Sequence, residues 1–182
     1  MEFHIEHGGK VNPIEFVREM VNLYSDIKIY VGCDSQNKRK ECLYAIVIAF
    51  RFTYGEEGTR KGARFIYATE VTEKMPDKFT RLWGEVERST ALAQKIEDRD
   101  VDGNIRGFKV DVIDLDFNHK DTTGSYDLVA SGSGYVKGYG FESTCKPEEQ
   151  IASRAADHIV KKKNRKERRF HFKKKKKGRL AA

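Results

Sequence analysis

The stretch KIYVGCDSQNKRKECLYAIVIAFRF, residues 28–52, decides the fold. Its first part, KIYVGCDSQ (28–36), is a short apolar run that ends in polar residues and reads as a strand. Its last part, LYAIVIAFRF (43–52), is almost unbroken in aliphatic and aromatic residues, which suits a central strand buried on both faces. Downstream, GEEGTRKG (55–62) has the composition of a turn and ARFIYATEVT (63–72) reads as the strand returning from it. Three early strands joined by hairpin signals are therefore expected.

Helices and strands alternate around this unit. PIEFVREMVNLY (13–24) carries Ile14, Phe16, Val17, Met20, Val21 and Tyr24 at helical spacing, with Pro13 suited to a first turn. DKFTRLWGEVERSTALAQKIE (77–97) is the clearest helix: Asp77 is an N-cap, and Phe79, Leu82, Trp83, Val86, Ala93 and Ile96 form one stripe, so Phe79 and Trp83 read as core. FKVDVIDLDFN (108–118) reads as a strand with Val110, Val112, Asp114 and Asp116 on one side. A short helix is expected near 125–131, then a glycine-loosened strand at GYVKGYGFEST (134–144), with Gly132, Gly134, Gly138 and Gly140 as loop and kink residues. Pro147, followed by two glutamates, opens a last helix reaching about Lys163. Such an order implies an α/β domain over 1–160, a mixed sheet with helices packed against it.

Charge divides the 182-residue chain in two. Residues 161–179 hold thirteen Lys or Arg against the single acid Glu167, a net +12; with +7 overall, the remainder carries −5. Residues 161–182 thus read as a basic, low-complexity, disordered tail able to tether nucleic acid. No run of about 18 apolar residues suggests a membrane span, and no leader pattern opens the chain, so a cytoplasmic location is the default expectation. Cys33, Cys42 and Cys145 fit neither a disulfide set nor a paired zinc motif and read as reduced thiols.

The acids carry the chemistry. Asp34 closes the first strand, Glu85 lies in the long helix, Asp114 and Asp116 share one face of the later strand, and Asp157 lies in the last helix. Carboxylates near a core are costly unless a cation neutralises them, and two divalent ions roughly 3.5–4 Å apart would do so while serving phosphodiester hydrolysis. Each acid also has a plainer reading. Asp34 can be a turn residue, Glu85 part of a solvated face, the strand acids an edge pattern, and Asp157 a partner of Arg154 or Lys161.

The combination resembles the ribonuclease H superfamily, and more narrowly the small bacterial and phage ribonuclease H-like proteins of the YkuK type. VGCDSQ (31–36), RLWGEVERSTALA (81–93), DLDFN (114–118), GYVKGYGF (134–141) and KPEEQIASRAAD (146–157) carry the resemblance, which spans 28–160. It implies a five-stranded mixed sheet with helices on both faces, two Mg2+ or Mn2+ ions, and endonuclease (phosphodiester hydrolase) activity. Residue by residue, it implies Asp34, Glu85, Asp116 and Asp157 as catalytic metal ligands, with Asp116 matching better than Asp114, a further candidate ligand. Asp34 would serve both ions, Glu85 and Asp116 one, and Asp157 the other. Ser35, Gln36, Lys146 and the tail lysines Lys161, Lys162 and Lys163 are candidate contacts to substrate, and His158 a candidate proton carrier. The competing expectation is a catalytically inactive scaffold that binds nucleic acid through the tail.

Overall fold

A computed structural model describes residues 1–6, 8–24, 26–55, 60–118, 126–148 and 150–163. Its strands are β1 (Phe3–Ile5), β2 (Lys10–Val11), β3 (Ile27–Asn37), β4 (Glu41–Tyr54), β5 (Arg60–Glu73), β6 (Val112–Asn118) and β7 (Ser143–Lys146). The helices are α1 (Pro13–Leu23), α2 (Lys78–Glu97), α3 (Tyr126–Gly138) and α4 (152–163).

All strands join one mixed sheet in the order β2-β1-β5-β4-β3-β6-β7. The hairpins β3-β4 and β4-β5 are antiparallel, whereas β6 and β7 run parallel to β3. The sheet therefore has seven strands, not the expected five. The additions are β1 and β2, only 3 and 2 residues long and too short to show a periodicity of their own.

β4 is central, as its apolar run requires, and its two faces differ. Cys42, Tyr44, Ile46, Ile48 and Phe50 point into a large core with Val17 and Met20 of α1, Val86 and Ile96 of α2, and Leu128 and Val136 of α3. Ala45, Val47 and Ala49 point the other way, against Ala152, Ala156, Ile159 and Val160 of α4. Small residues on both partners let α4 lie close to the sheet. Helices thus cover both faces.

The Pro13 first turn and the Asp77 cap stand as expected, and Asn12 caps α1 in addition. The Asn12 side chain accepts from the Ile14 and Glu15 amides ahead of Pro13, and Asp77 accepts from the Thr80 amide at 2.7 Å. Other expectations need correction. Residues 134–138 belong to α3 rather than to a strand, because Leu128, Val129 and Val136 face the core from a helix. Gly132 and Gly134 are therefore helical, and a Cβ at Gly132 would lie 2.8 Å from the Phe117 ring. Phe79 is 53% exposed; it stacks on Trp83, which is partly buried and meets Tyr135 edge-on at 5.2 Å. Val110 precedes β6 and joins the larger core, apart from Val112. Lys161, Lys162 and Lys163 continue α4, and the rest of the expected tail, 164–182, lies outside the described residues.

Candidate functional site

The parallel pairing of β3 with β6 sets Tyr30 against Val112, Val31 against Ile113 and Gly32 against Asp114. The pairing ends there; two residues on, strand alternation turns Asp34 toward the same α4-covered face as Gly32. Ser35 points to the opposite face, where Glu85 of α2 meets it. The acids therefore approach from both sides of the sheet, toward the carboxyl ends of two parallel strands, where open α/β sheets place their ligands.

Electrostatics tie them together. Burial pushes the Asp34 carboxyl up to about 6; the charges of Asp116 and Asp157 add to this, and the Ser35 backbone and Arg81 oppose it. Glu85, 3% exposed, is pushed well above its ordinary value by burial first and by Asp34 next, with Asp116 contributing in the same direction. Like charges raise one another's pKa only within a few ångströms to about a Debye length of separation. The charges of Asp116 and Asp157 thus act on Asp34, and that of Asp34 acts on Glu85.

Glu85, Asp116 and Asp157 each have a basic partner. Glu85 Oε1 accepts the Ser35 hydroxyl at 2.5 Å and pairs with Arg81 Nη1 at 3.1 Å, and the same Arg81 nitrogen reaches the Ser35 carbonyl and hydroxyl oxygens. Asp116 pairs with Lys146 Nζ at 2.5 Å, within a stretch where the β6-β7 ladder is irregular between Leu115 and Asn118. Asp157, 41% exposed, pairs with Lys161 Nζ at 2.6 Å. Glu85 Oε2 is buried and has no hydrogen-bond partner among the described residues. Among the described residues, no group of three or more His, Cys, Asp or Glu stands in a metal-holding arrangement.

Asp114 differs. It is 1% exposed and both of its oxygens are committed: Oδ1 to the Thr144 hydroxyl, Oδ2 to the amides of Ile151 and Ala152 at 2.7 Å and of Ser153 at 3.4 Å. Burial raises its pKa and these hydrogen bonds work against that rise. Cys33, between Gly32 and Asp34, is buried in the larger core, where burial and the nearby Glu85 and Asp34 charges hold its thiol well above the usual range. All three cysteines are free and buried.

The remaining candidates are scattered. Gln36 is exposed on β3, one residue beyond Ser35, and Lys162 and His158 are exposed on α4. Lys163 Nζ bonds the Thr69 hydroxyl of β5. Arg81 escaped the sequence reading, although its place four residues before Glu85 on one helix was a usable signal. So did Asn37, whose amide exchanges hydrogen bonds with the Met75 backbone and ties the end of β3 to the approach to α2.

A model of the ribonuclease H-like family matches residues 12–161, and the chain belongs to that family. Membership points to a nuclease or nucleic-acid-binding function, and the family generally uses divalent metals. A search of curated proteins found no match, and a search of solved structures found none either. Among the described residues, no helix is long and apolar enough to cross a membrane.

Proposed function

We propose that the chain is a metal-dependent nuclease that hydrolyses nucleic-acid phosphodiester bonds with Asp34, Glu85, Asp116 and Asp157. What supports this reading is the mutual electrostatic influence of the acids: the charges of Asp116 and Asp157 raise the Asp34 pKa, and those of Asp34 and Asp116 raise the Glu85 pKa. The donor set fits Mg2+ or Mn2+: it is all oxygen, and the buried, unpartnered Glu85 Oε2 is the kind of atom a hard cation satisfies. Asp34 would be shared between two ions, Glu85 and Asp116 would serve one, and Asp157 the other. Bound ions of this kind activate water and stabilise the leaving oxygen.

The chain's own residues set the conditions for that chemistry. Ser35 and Arg81 hold Glu85 in place. Lys146 and Lys161 neutralise Asp116 and Asp157, and both lysines stand ready to contact phosphate once a cation takes over those acids. Gln36, Lys162 and Lys163 complete the proposed substrate contacts, and the basic segment from 161 onward adds salt-sensitive affinity for nucleic acid.

The test is cleavage of labelled RNA–DNA hybrid, branched DNA and single strands with manganese or with EDTA. The metal-dependent rate should fall about a thousandfold in Asp34→Asn, matching the several kcal/mol that metal-held charge supplies to a transition state. Full cleavage by that variant would reject the site. The three ion pairs favour a second reading, a scaffold whose acids are permanently neutralised and which only binds. Truncation after residue 163 separates the two: a pure binder loses nearly all affinity, whereas a nuclease keeps turnover at low salt.

A further inference from the structure

The first amides of helix α4 are capped from another element. N-caps are ordinarily supplied by the residue just before the first turn. Here the acceptor comes from another element, 37 residues away in sequence, because Asp114 Oδ2 receives the Ile151 and Ala152 amides and, more distantly, that of Ser153. Three further bonds close the knot. Thr144 donates to Asp114 Oδ1, Gln150 donates to the Leu115 carbonyl at 2.6 Å, and Ser153 donates to the Gln150 side chain at 3.0 Å. Asp114, Gln150 and Ser153 are each 2% exposed or less. Across the register, Gly32 leaves the space that the helix start occupies: a Cβ there would lie 2.8 Å from the Ser153 amide nitrogen.

From this knot α4 runs across the sheet to β5, where Lys163 meets Thr69. Asp157 lies one helical turn beyond Ser153, within electrostatic reach of Asp34. A helix fixed at its first turn carries its later side chains with it, so the knot determines where Asp157 stands.

We infer that Asp114 is a positioning residue that holds the start of α4 on β6 and so places Asp157 beside Asp34. This rests on the proposed function for its chemical consequence, but not for the hydrogen-bond knot itself. The role differs from that of a metal ligand, since both Asp114 oxygens already accept hydrogen bonds from Thr144 and the start of α4.

The experiment measures Mn2+ binding to the full chain by titration in four proteins: wild type, Asp114→Asn, Asp157→Asn and the double variant. Amide exchange is followed in the same proteins. Asp114→Asn should weaken Mn2+ binding about tenfold or more, as loss of a residue supporting a ligand does. In the Asp157→Asn background the same change should do little, because its effect travels through Asp157. An equal loss in both backgrounds, or no loss, overturns the inference.

Exchange protection at residues 151–157 should fall in Asp114→Asn while β3 and β4 keep theirs. If the wild type binds no Mn2+, the nuclease reading fails, and exchange alone decides: unchanged protection at 151–157 overturns the positioning role. Should Asp114→Asn fail to fold, Thr144→Val removes one bond and keeps the carboxylate. It should show the same pattern more weakly, and an unaltered protein overturns the inference.

Discussion

Two ranks of residues cross β3 and β6 one strand repeat apart, and they treat their acids in opposite ways. In the first rank Gly32 faces Asp114, and the carboxylate is buried with every oxygen bonded to α4 or Thr144. In the second, Asp34 stands beside Asp116, and the carboxylates are held near like charges with only one lysine on Asp116. Backbone amides satisfy the first rank, so it acts as structure. The second keeps a repulsion centred on Asp34, which Lys146 on Asp116 and Lys161 on Asp157 offset only from outside.

The sharpest way to break this contrast is to empty each rank in turn. Asp114→Ala leaves buried amides without an acceptor and should cost about 3 kcal/mol in urea unfolding. Asp116→Ala, which removes a repelling charge and one partly exposed ion pair, should stay within about 0.5 kcal/mol of wild type. Equal costs would erase the distinction. Gly32→Ala probes the first rank from its other side. Its methyl would press on the Ser153 amide, an overpacking expected to cost about 1–3 kcal/mol, and a neutral result would mean that α4 shifts freely.

Acidity sharpens the contrast in the second rank. The folded-state pKa of Asp34 is raised, so between its ordinary value and about 6 the native state holds more protons than the unfolded chain. The metal-free protein should therefore gain stability from this group as pH falls through about 6, and lose that gain as pH rises again. Mn2+ affinity should move the opposite way, weakening up to about tenfold per pH unit below that point, because protons and metal compete for one carboxylate. Calorimetric titrations at pH 5, 6 and 7, paired with urea melts, check both signs. The smallest effect belongs to Lys161→Ala. Its pair with Asp157 is largely exposed, and stability should change by less than about 0.5 kcal/mol.

Much of this arrangement could be read from the chain, and the failures have physical causes. The buried run 43–52 placed the central strand, and Pro13 and Asp77 marked helix starts that the structure keeps. The segment around Tyr135 and Val136 misled, because tyrosine, valine and glycine suggest a strand while the core demands Leu128, Val129 and Val136 on one helical side. Asp114 and Asp116 share a strand face, so alternation alone could not separate them. The difference between them comes from where α4 begins, which is a tertiary fact. Arg81 was legible through its spacing from Glu85, but the Ser35 contacts that give it a role join residues 46 apart.

The strand itself keeps the thiol next to Asp34 apart from the second rank. Cys33 points through the sheet to the opposite side from its neighbour, and its surroundings keep the proton on sulfur. Strand alternation thus keeps the Cys33 sulfur in the larger core, on the face opposite the Asp34 carboxylate.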